Sequence, residues 1–282
     1  MRIDQLLVER GLAVSRSQAQ RLIAAGVQWQ QPNGEWRQVG KNRDDVPENA
    51  ALQLLDDAES RYVSRGGLKL EGALQATGVQ VQGLRCLDVG QSTGGFTDCL
   101  LKHGAAQVVG IDVGHAQVHD SIREDERVIC VEGLNARELE PGDERIPDAL
   151  EGFDLMVGDV SFISLTLVLP GVVHLLKPTG QLLMLVKPQF ELQPGQVGKG
   201  GIVKDESLYP FIEERLRTAL TDLGMKVTAW LDSPIEGGDG NREFFVQACW
   251  PDPAAVLPAR EATRVAHEAD LAAKAYAKAN DY

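Results

Sequence analysis

The sequence predicts an α/β protein with a doubly wound parallel sheet and one antiparallel edge strand. Apolar runs of six to eight residues alternate with segments of helical spacing, which is typical of βαβ units. The runs cover residues 84–89, 107–113, 127–132, 153–160, 180–187, 226–231 and 243–250. The last two runs form a hairpin-like pair, and this pair predicts the antiparallel edge.

The first sixty residues predict a small α+β domain of their own. Residues 4–11 and 15–26 have the spacing of two short helices, and Ser15 with Gln18 forms an S-x-x-Q capping box. Strands at 27–30 and 51–55 follow. The outer helical face carries Arg10, Arg16 and Arg21 with few nearby acids, which fits either an RNA-binding surface or a solvated arginine face.

The helix–helix–strand order and the segment SRSQAQRLIAAGVQ resemble the S4 RNA-binding domain. This resemblance implies a domain over residues 1–60 that docks RNA. The net charge of −13 has the wrong sign for a protein that coats nucleic acid, so any RNA contact must use local basic patches of this kind.

The segment 84–96, LRCLDVGQSTGGF, predicts a strand, a glycine-rich turn and the start of a helix. Its glycines fit neither G-x-G-x-x-G nor the P-loop pattern. Asp88 and Gly90, followed by Gly94 and Gly95, match instead the first motif of S-adenosylmethionine-dependent methyltransferases, although a plain βα connection also has this form. Asp112 ends the next strand about twenty residues further on, where an acidic side chain can accept both hydroxyls of a ribose or can be a solvated turn residue.

The composition excludes several other classes of protein. The N-terminus is charged throughout and has no apolar core of a signal peptide, so we expect a cytoplasmic protein. The longest apolar stretch, residues 165–176, is too short to cross a bilayer and contains Pro170, so no membrane partner is expected. The four cysteines lack C-x-x-C spacing, and no metal is predicted.

Six longer segments carry a resemblance to a known family. They are SRGGLK (64–69), DVGQSTGGFTDCLL (88–101), DVSFISL (159–165), LVKPQFE (185–191), VGKGGIV (197–203) and SPIEGGDGNREFF (233–245). With these segments the chain closely resembles the TlyA family of S4-domain ribosomal-RNA 2′-O-methyltransferases, once labelled hemolysins. The resemblance implies an FtsJ-like, Rossmann-like methyltransferase domain over residues 61–250, and an alanine-rich tail, 251–282, lies outside it.

The resemblance also implies an activity and a set of site residues. Methyl transfer from S-adenosylmethionine to a cytidine ribose 2′-hydroxyl of ribosomal RNA or ribosomal subunits would use Lys69, Asp159, Lys187 and Glu243. We assign Lys187 as the base, Lys69 and Asp159 as orienting groups, and Glu243 to hold the active-site lysine or the ribose. Further cofactor-binding residues implied are Ser92, Thr93, Phe96 and Asn135, and further RNA-binding residues are Arg61, Arg65 and Lys199. Gln91 departs from the family, in which a small residue is more usual.

Two other functions compete with this interpretation. An S4-anchored RNA-binding or ribosome-assembly factor without catalysis would share the RNA-binding features, and the intact catalytic set argues against it. A secreted or pore-forming hemolysin is what the older family label suggests, and the missing signal peptide and membrane spans argue against that. We expect a monomer.

Overall fold

The computed structural model describes residues 1–55, 60–147, 149–256 and 265. Its N-terminal part is an α+β unit in which two helices pack on a three-stranded antiparallel sheet of order β2–β1–β3. The elements are α1 (Ile3–Glu9), α2 (Arg16–Gly26), β1 (Val27–Gln30), β2 (Trp36–Gln38) and β3 (Leu52–Leu54). The sequence did not predict β2, because its three residues are exposed and carry no apolar alternation.

The start of α2 shows how local sequence sets this unit. The Ser15 hydroxyl accepts a hydrogen bond from the Gln18 backbone N–H at 3.2 Å, as the capping box predicts. The Gln18 side chain accepts instead from the Val14 N–H at 2.7 Å, one residue before the cap. The helix then buries Leu22 and Ile23 in the core of the domain.

The larger part of the chain forms a seven-stranded sheet with helices on both faces, which confirms the predicted doubly wound class. Its strands are β4 (Arg85–Val89), β5 (Gln107–Asp112), β6 (Val128–Glu132), β7 (Phe153–Gly158), β8 (Leu176–Val186), β9 (Lys226–Asp232) and β10 (Phe244–Cys249). Its helices are α3 (Gly66–Thr77), α4 (Gly95–Lys102), α5 (Asp120–Arg123), α6 (Leu165–Val172), α7 (Pro188–Glu191) and α8 (Tyr209–Asp222).

The strand order, β6–β5–β4–β7–β8–β10–β9, reverses direction of growth between β4 and β7. The connections that follow these two strands leave toward opposite faces of the sheet, so a crevice opens between the carboxyl ends of β4 and β7. Strands β4 to β8 are mutually parallel, and all of them therefore end at this edge. The candidate site lies at this edge, beside the ends of β4, β5 and β7.

The antiparallel strand is present but does not lie at the edge. Strand β10 runs antiparallel to both β8 and β9 and lies between them, so β9 is the outermost strand. Burial agrees with this order, because β10 is mostly buried along its length whereas β9 contains only exposed and half-buried residues. An edge position suits the strand that tolerates solvent.

Two predicted segments fall largely outside the described residues. Most of the alanine-rich tail, 251–282, lies outside the described residues, and so do residues 56–59, just before the predicted domain boundary. Within the described ranges, no helix has the length and apolar character needed to cross a membrane.

Candidate active site

The glycine-rich turn after β4 forms one wall of a cavity of about 440 Å³ at the carboxyl edge of the sheet. Gly90 has φ +82°, and a Cβ there would lie 2.9 Å from the backbone oxygen of Asp159. Only glycine can therefore bring the end of β4 this close to the end of β7. Gly94, with φ +95°, caps α4 from the left-handed region.

Asp112 also lines the cavity, at the end of β5 and next to the glycine-rich turn. Its carboxylate accepts hydrogen bonds from the backbone N–H groups of Ser92 and Gly114, each at 2.7 Å. Four predicted cofactor-binding residues line the cavity: Gly90, Ser92, Asp112 and Asn135. A glycine-walled cavity with an acidic side chain at the second strand fits a nucleoside-bearing cofactor.

The other five predicted cofactor-binding residues do not line that cavity: Asp88, Thr93, Gly94, Gly95 and Phe96. Asp88 is fully buried and accepts a hydrogen bond from the Thr97 hydroxyl at 2.7 Å. Burial raises the pKa of Asp88 to about 7. Phe96 packs against Phe245 in the core, with ring centroids 6.1 Å apart. Asp88 and Phe96 therefore stabilise the turn from the protein core, whereas Thr93, Gly94 and Gly95 belong to the turn and the start of α4.

Gln91, the departure from the family pattern, has a structural explanation. Its side chain is buried and donates a hydrogen bond to the Thr97 hydroxyl at 3.0 Å. It also lies over Gly110, where a Cβ atom would come within 2.0 Å of the Gln91 side chain. The larger side chain at 91 is therefore accommodated by the missing side chain at 110.

The four predicted catalytic residues form two ion pairs. Lys187 Nζ lies 2.5 Å from Asp159 Oδ1 and also donates a hydrogen bond to the Ser161 hydroxyl at 2.8 Å. Lys69 Nζ, from α3, lies 2.6 Å from Glu243 Oε2 at the start of β10. The side chains of Lys69 and Glu243 are only 8% and 2% exposed, whereas those of Lys187 and Asp159 are 12% and 25% exposed.

Electrostatics link the two pairs into one cluster. Burial raises the pKa of the Glu243 carboxyl, and the positive charges of Lys69 and Lys187 oppose that rise. Asp159 adds to the rise by repulsion between like charges. The sequence thus predicted a set of residues that the fold brings together at one edge, from α3 and the ends of three strands.

Two residues beside this cluster were not singled out from the sequence. Ser161 and Phe162 follow Asp159 in the turn after β7, and both line the cavity. Phe162 has φ +65° and is 90% exposed, which is an unusual and strained arrangement for an aromatic residue. Its ring contacts that of Phe190 in a tilted arrangement, with centroids 5.2 Å apart. The segment DVSF carried no local signal for this conformation.

The predicted RNA-binding residues are not equivalent in the structure. The Arg10 guanidinium donates to the backbone oxygens of Ala50, at 2.6 Å, and Glu48, so it holds the S4-like unit together. Arg61 pairs with Glu71 at 3.0 Å, and Arg65 donates to the Glu236 backbone oxygen at 3.3 Å. Arg16 and Lys199 are exposed, and Arg21 is half-buried.

The fold and site define a methyltransferase of the FtsJ-like class carrying an S4 domain. The FtsJ-like methyltransferase model matches residues 62–249, and the S4 domain model matches residues 1–26. The chain belongs to the TlyA family. It is 44% identical, over 87% of its length and 88% of the relative's, to the 16S/23S rRNA (cytidine-2′-O)-methyltransferase TlyA of Mycobacterium tuberculosis.

Relatives with the older name are also similar. The chain is 39% identical to Hemolysin A of Brachyspira hyodysenteriae, over 87% of this chain and 98% of that protein. The solved structure of a proposed hemolysin from Streptococcus thermophilus superposes with a TM-score of 0.65 at 37% identity, and the match covers 95% of this chain and 96% of that one.

Proposed function

We propose that this protein transfers a methyl group from S-adenosylmethionine to the ribose 2′-hydroxyl of a cytidine in ribosomal RNA. The observation that carries the proposal is the pair of ion pairs, Lys187–Asp159 and Lys69–Glu243, beside a glycine-walled cavity. The names of the relatives support the substrate class. The S4 domain, residues 1–60, docks the RNA, and residues 61–250 carry the catalytic site. The enzyme acts as a monomer in the cytoplasm.

The cavity residues fit S-adenosylmethionine. Asp112 would accept the ribose hydroxyls, Gly90 allows close approach of the backbone, and Ser92 and Asn135 line the remaining wall. When bound, the cofactor supplies an electrophilic methyl group on a positively charged sulfur. Alignment of the hydroxyl and removal of its proton depend on side chains of the protein.

A ribose 2′-hydroxyl is a weak nucleophile at neutral pH and needs both alignment and a base. To act as the base, the Lys187 amine must first release the proton that it carries in the ion pair with Asp159. It then takes the hydroxyl proton, and Asp159 stabilises the positive charge that forms again on the amine. The Ser161 hydroxyl, 2.8 Å from the same amine, fixes its direction. Lys69 and Glu243 are almost fully buried and act as positioning residues for the less buried pair, Lys187 and Asp159.

Phe162 gives the target nucleotide a place to dock. An exposed ring beside Asp159, held in a strained backbone conformation, offers a face on which an unpaired base can stack. Stacking of this kind would hold the ribose next to the cluster of Lys69, Asp159, Lys187 and Glu243 while its base is flipped out of the RNA helix.

The test is to incubate purified protein with methyl-tritiated S-adenosylmethionine and ribosomal subunits. We expect label in RNA, at a position that resists alkaline cleavage because its 2′-oxygen is blocked. Label in protein, or methylation of a base in place of a ribose, would contradict the proposal. Tight RNA binding without any label would favour a non-catalytic assembly factor.

A further inference from the structure

A second cavity of about 470 Å³ adjoins the proposed catalytic site. Phe162 and Ile163 line both cavities, so the turn after β7 is the wall between them. The second cavity, which we call the flanking groove, also has Arg137 and Arg215 in its lining. Nothing in the proposed methyl-transfer chemistry uses these two arginines.

The structure holds Arg215 firmly and leaves Arg137 open. Arg215 in α8 donates hydrogen bonds to the Glu191 backbone oxygen at 2.6 Å and to the Thr166 hydroxyl at 3.2 Å. These contacts orient a guanidinium that has five N–H donors in all. Arg137 is exposed, and its guanidinium has no hydrogen-bond or ion-pair partner among the described residues.

The flanking groove has one acidic residue among its lining residues, Glu191. Its carboxylate is buried and accepts hydrogen bonds from the Ser164 hydroxyl at 2.5 Å and the Leu165 N–H at 2.7 Å. Burial raises the pKa of this carboxyl, and the positive charge of Arg215 opposes that rise. Glu191 therefore offsets part of the charge of Arg215 and leaves the charge of Arg137 uncompensated, on a protein whose net charge is −13. Such a site favours an anion with several oxygens.

We propose that the flanking groove binds a backbone phosphodiester of the RNA strand next to the target nucleotide, through Arg137 and Arg215. This inference rests on the proposed function, because it takes RNA as the substrate. The shared wall at Phe162 carries the assignment: a nucleotide stacked on that ring at the catalytic side places a neighbouring phosphate on the groove side. Arg215 supplies a fixed contact to the phosphate, and Arg137, in the short 3-10 helix after β6, supplies an exposed one.

The test compares two double variants with the same change of charge. Arg137→Gln with Arg215→Gln removes both groove cations, and Arg145→Gln with Arg217→Gln removes two arginines that pair with Asp143 and Glu213 outside the groove. Affinity for a ribosomal RNA substrate is measured across a salt series. Each lost phosphate contact on a single strand reduces the magnitude of the negative slope of log affinity against log salt by about 0.7. For the groove variant, which loses two contacts, this magnitude should therefore fall by about 1.4.

The control variant should keep the wild-type slope, and both variants should bind S-adenosylmethionine as the wild type does. A groove variant with the slope of the control would overturn the inference. If Arg215→Gln disturbs folding, Arg137→Gln alone decides, because the Arg137 side chain makes no hydrogen bond or ion pair with the described residues. The expected reduction in the magnitude of the salt slope is then about 0.7.

The salt slope needs no turnover, so the two proposals can fail separately. Wild-type methylation with an unchanged slope in the groove variant would contradict the flanking groove alone. If the wild-type protein does not methylate RNA but the groove variant has a reduced salt slope, the catalytic proposal is contradicted and phosphate binding in the flanking groove is supported.

Discussion

The side-chain amine of Lys187 lies 2.5 Å from Asp159 Oδ1, and this ion pair joins the carboxyl ends of β8 and β7. Asp159 lines the cavity and is 25% exposed, whereas Lys69 and Glu243 are almost fully buried. We propose that the outer pair, Lys187 and Asp159, contacts the substrate and that the inner pair, Lys69 and Glu243, holds the outer pair in position.

The inner pair should contribute to stability as a unit. Glu243→Gln leaves the buried Lys69 charge without its partner, and breaking such a pair typically costs about 3–5 kcal/mol. The double variant Lys69→Met with Glu243→Gln should recover much of that loss, because neither charge is then buried alone. Urea unfolding of the two single variants and the double variant measures the coupling. Additive losses would show that the two side chains do not interact.

The turn at Gly94 should be needed for cofactor binding. In Gly94→Val the new Cβ would lie 3.1 Å from Ile122 at a φ of +95°, so the turn must shift. We expect S-adenosylmethionine affinity to fall by more than about tenfold, which corresponds to 1.4 kcal/mol of lost binding free energy. Gly83→Val is the matched control, because Gly83 also has a positive φ but has open space around it and lies before β4, away from the turn that follows that strand. Equal affinities for the two variants by calorimetry would contradict the assignment.

The helical face of the S4 domain should contribute electrostatically to RNA binding. Arg16→Ala with Arg21→Ala should weaken binding to any RNA sequence and reduce its salt dependence, while cofactor affinity stays unchanged. The control is Arg145→Ala with Arg217→Ala, which makes the same change of charge in the other domain. A salt slope equal to that of the control would show that RNA docks elsewhere.

Asp88 should make stability depend on pH in a defined direction. Its pKa is about 7 in the folded protein, against an ordinary value of 3.8, so the folded state holds the proton more tightly than the unfolded state. Stability should therefore fall as pH rises from about 4 to about 7, by on the order of 4 kcal/mol at most. Asp88→Asn, which cannot titrate, should flatten this part of the profile. Parallel profiles for wild type and variant, from denaturant midpoints across pH, would show that another group is responsible.

The sequence predicted the element order well because alternating apolar and helical spacing is a local signal. It did not predict that β10 lies between β8 and β9, because the order of strands depends on contacts between segments that are distant in the sequence. The roles of Arg10 and Asp88 were also inaccessible: Arg10 reaches backbone carbonyls some forty residues away, and Asp88 is buried beneath the turn that its motif defines. The convergence of Lys69 with Glu243 came from the family resemblance, because no local pattern links residues so far apart.

The most direct test of the account is single-turnover methyl transfer to ribosomal RNA by Lys187→Ala and Lys187→Arg, with RNA and S-adenosylmethionine both saturating. Removal of a general base typically lowers the rate by about 10²–10⁴-fold, and we expect this loss in Lys187→Ala with both affinities unchanged. Lys187→Arg should be equally slow, because a guanidinium stays protonated and cannot accept the hydroxyl proton. A Lys187→Arg enzyme that transfers methyl groups at the wild-type rate would contradict the assignment of Lys187 as the base.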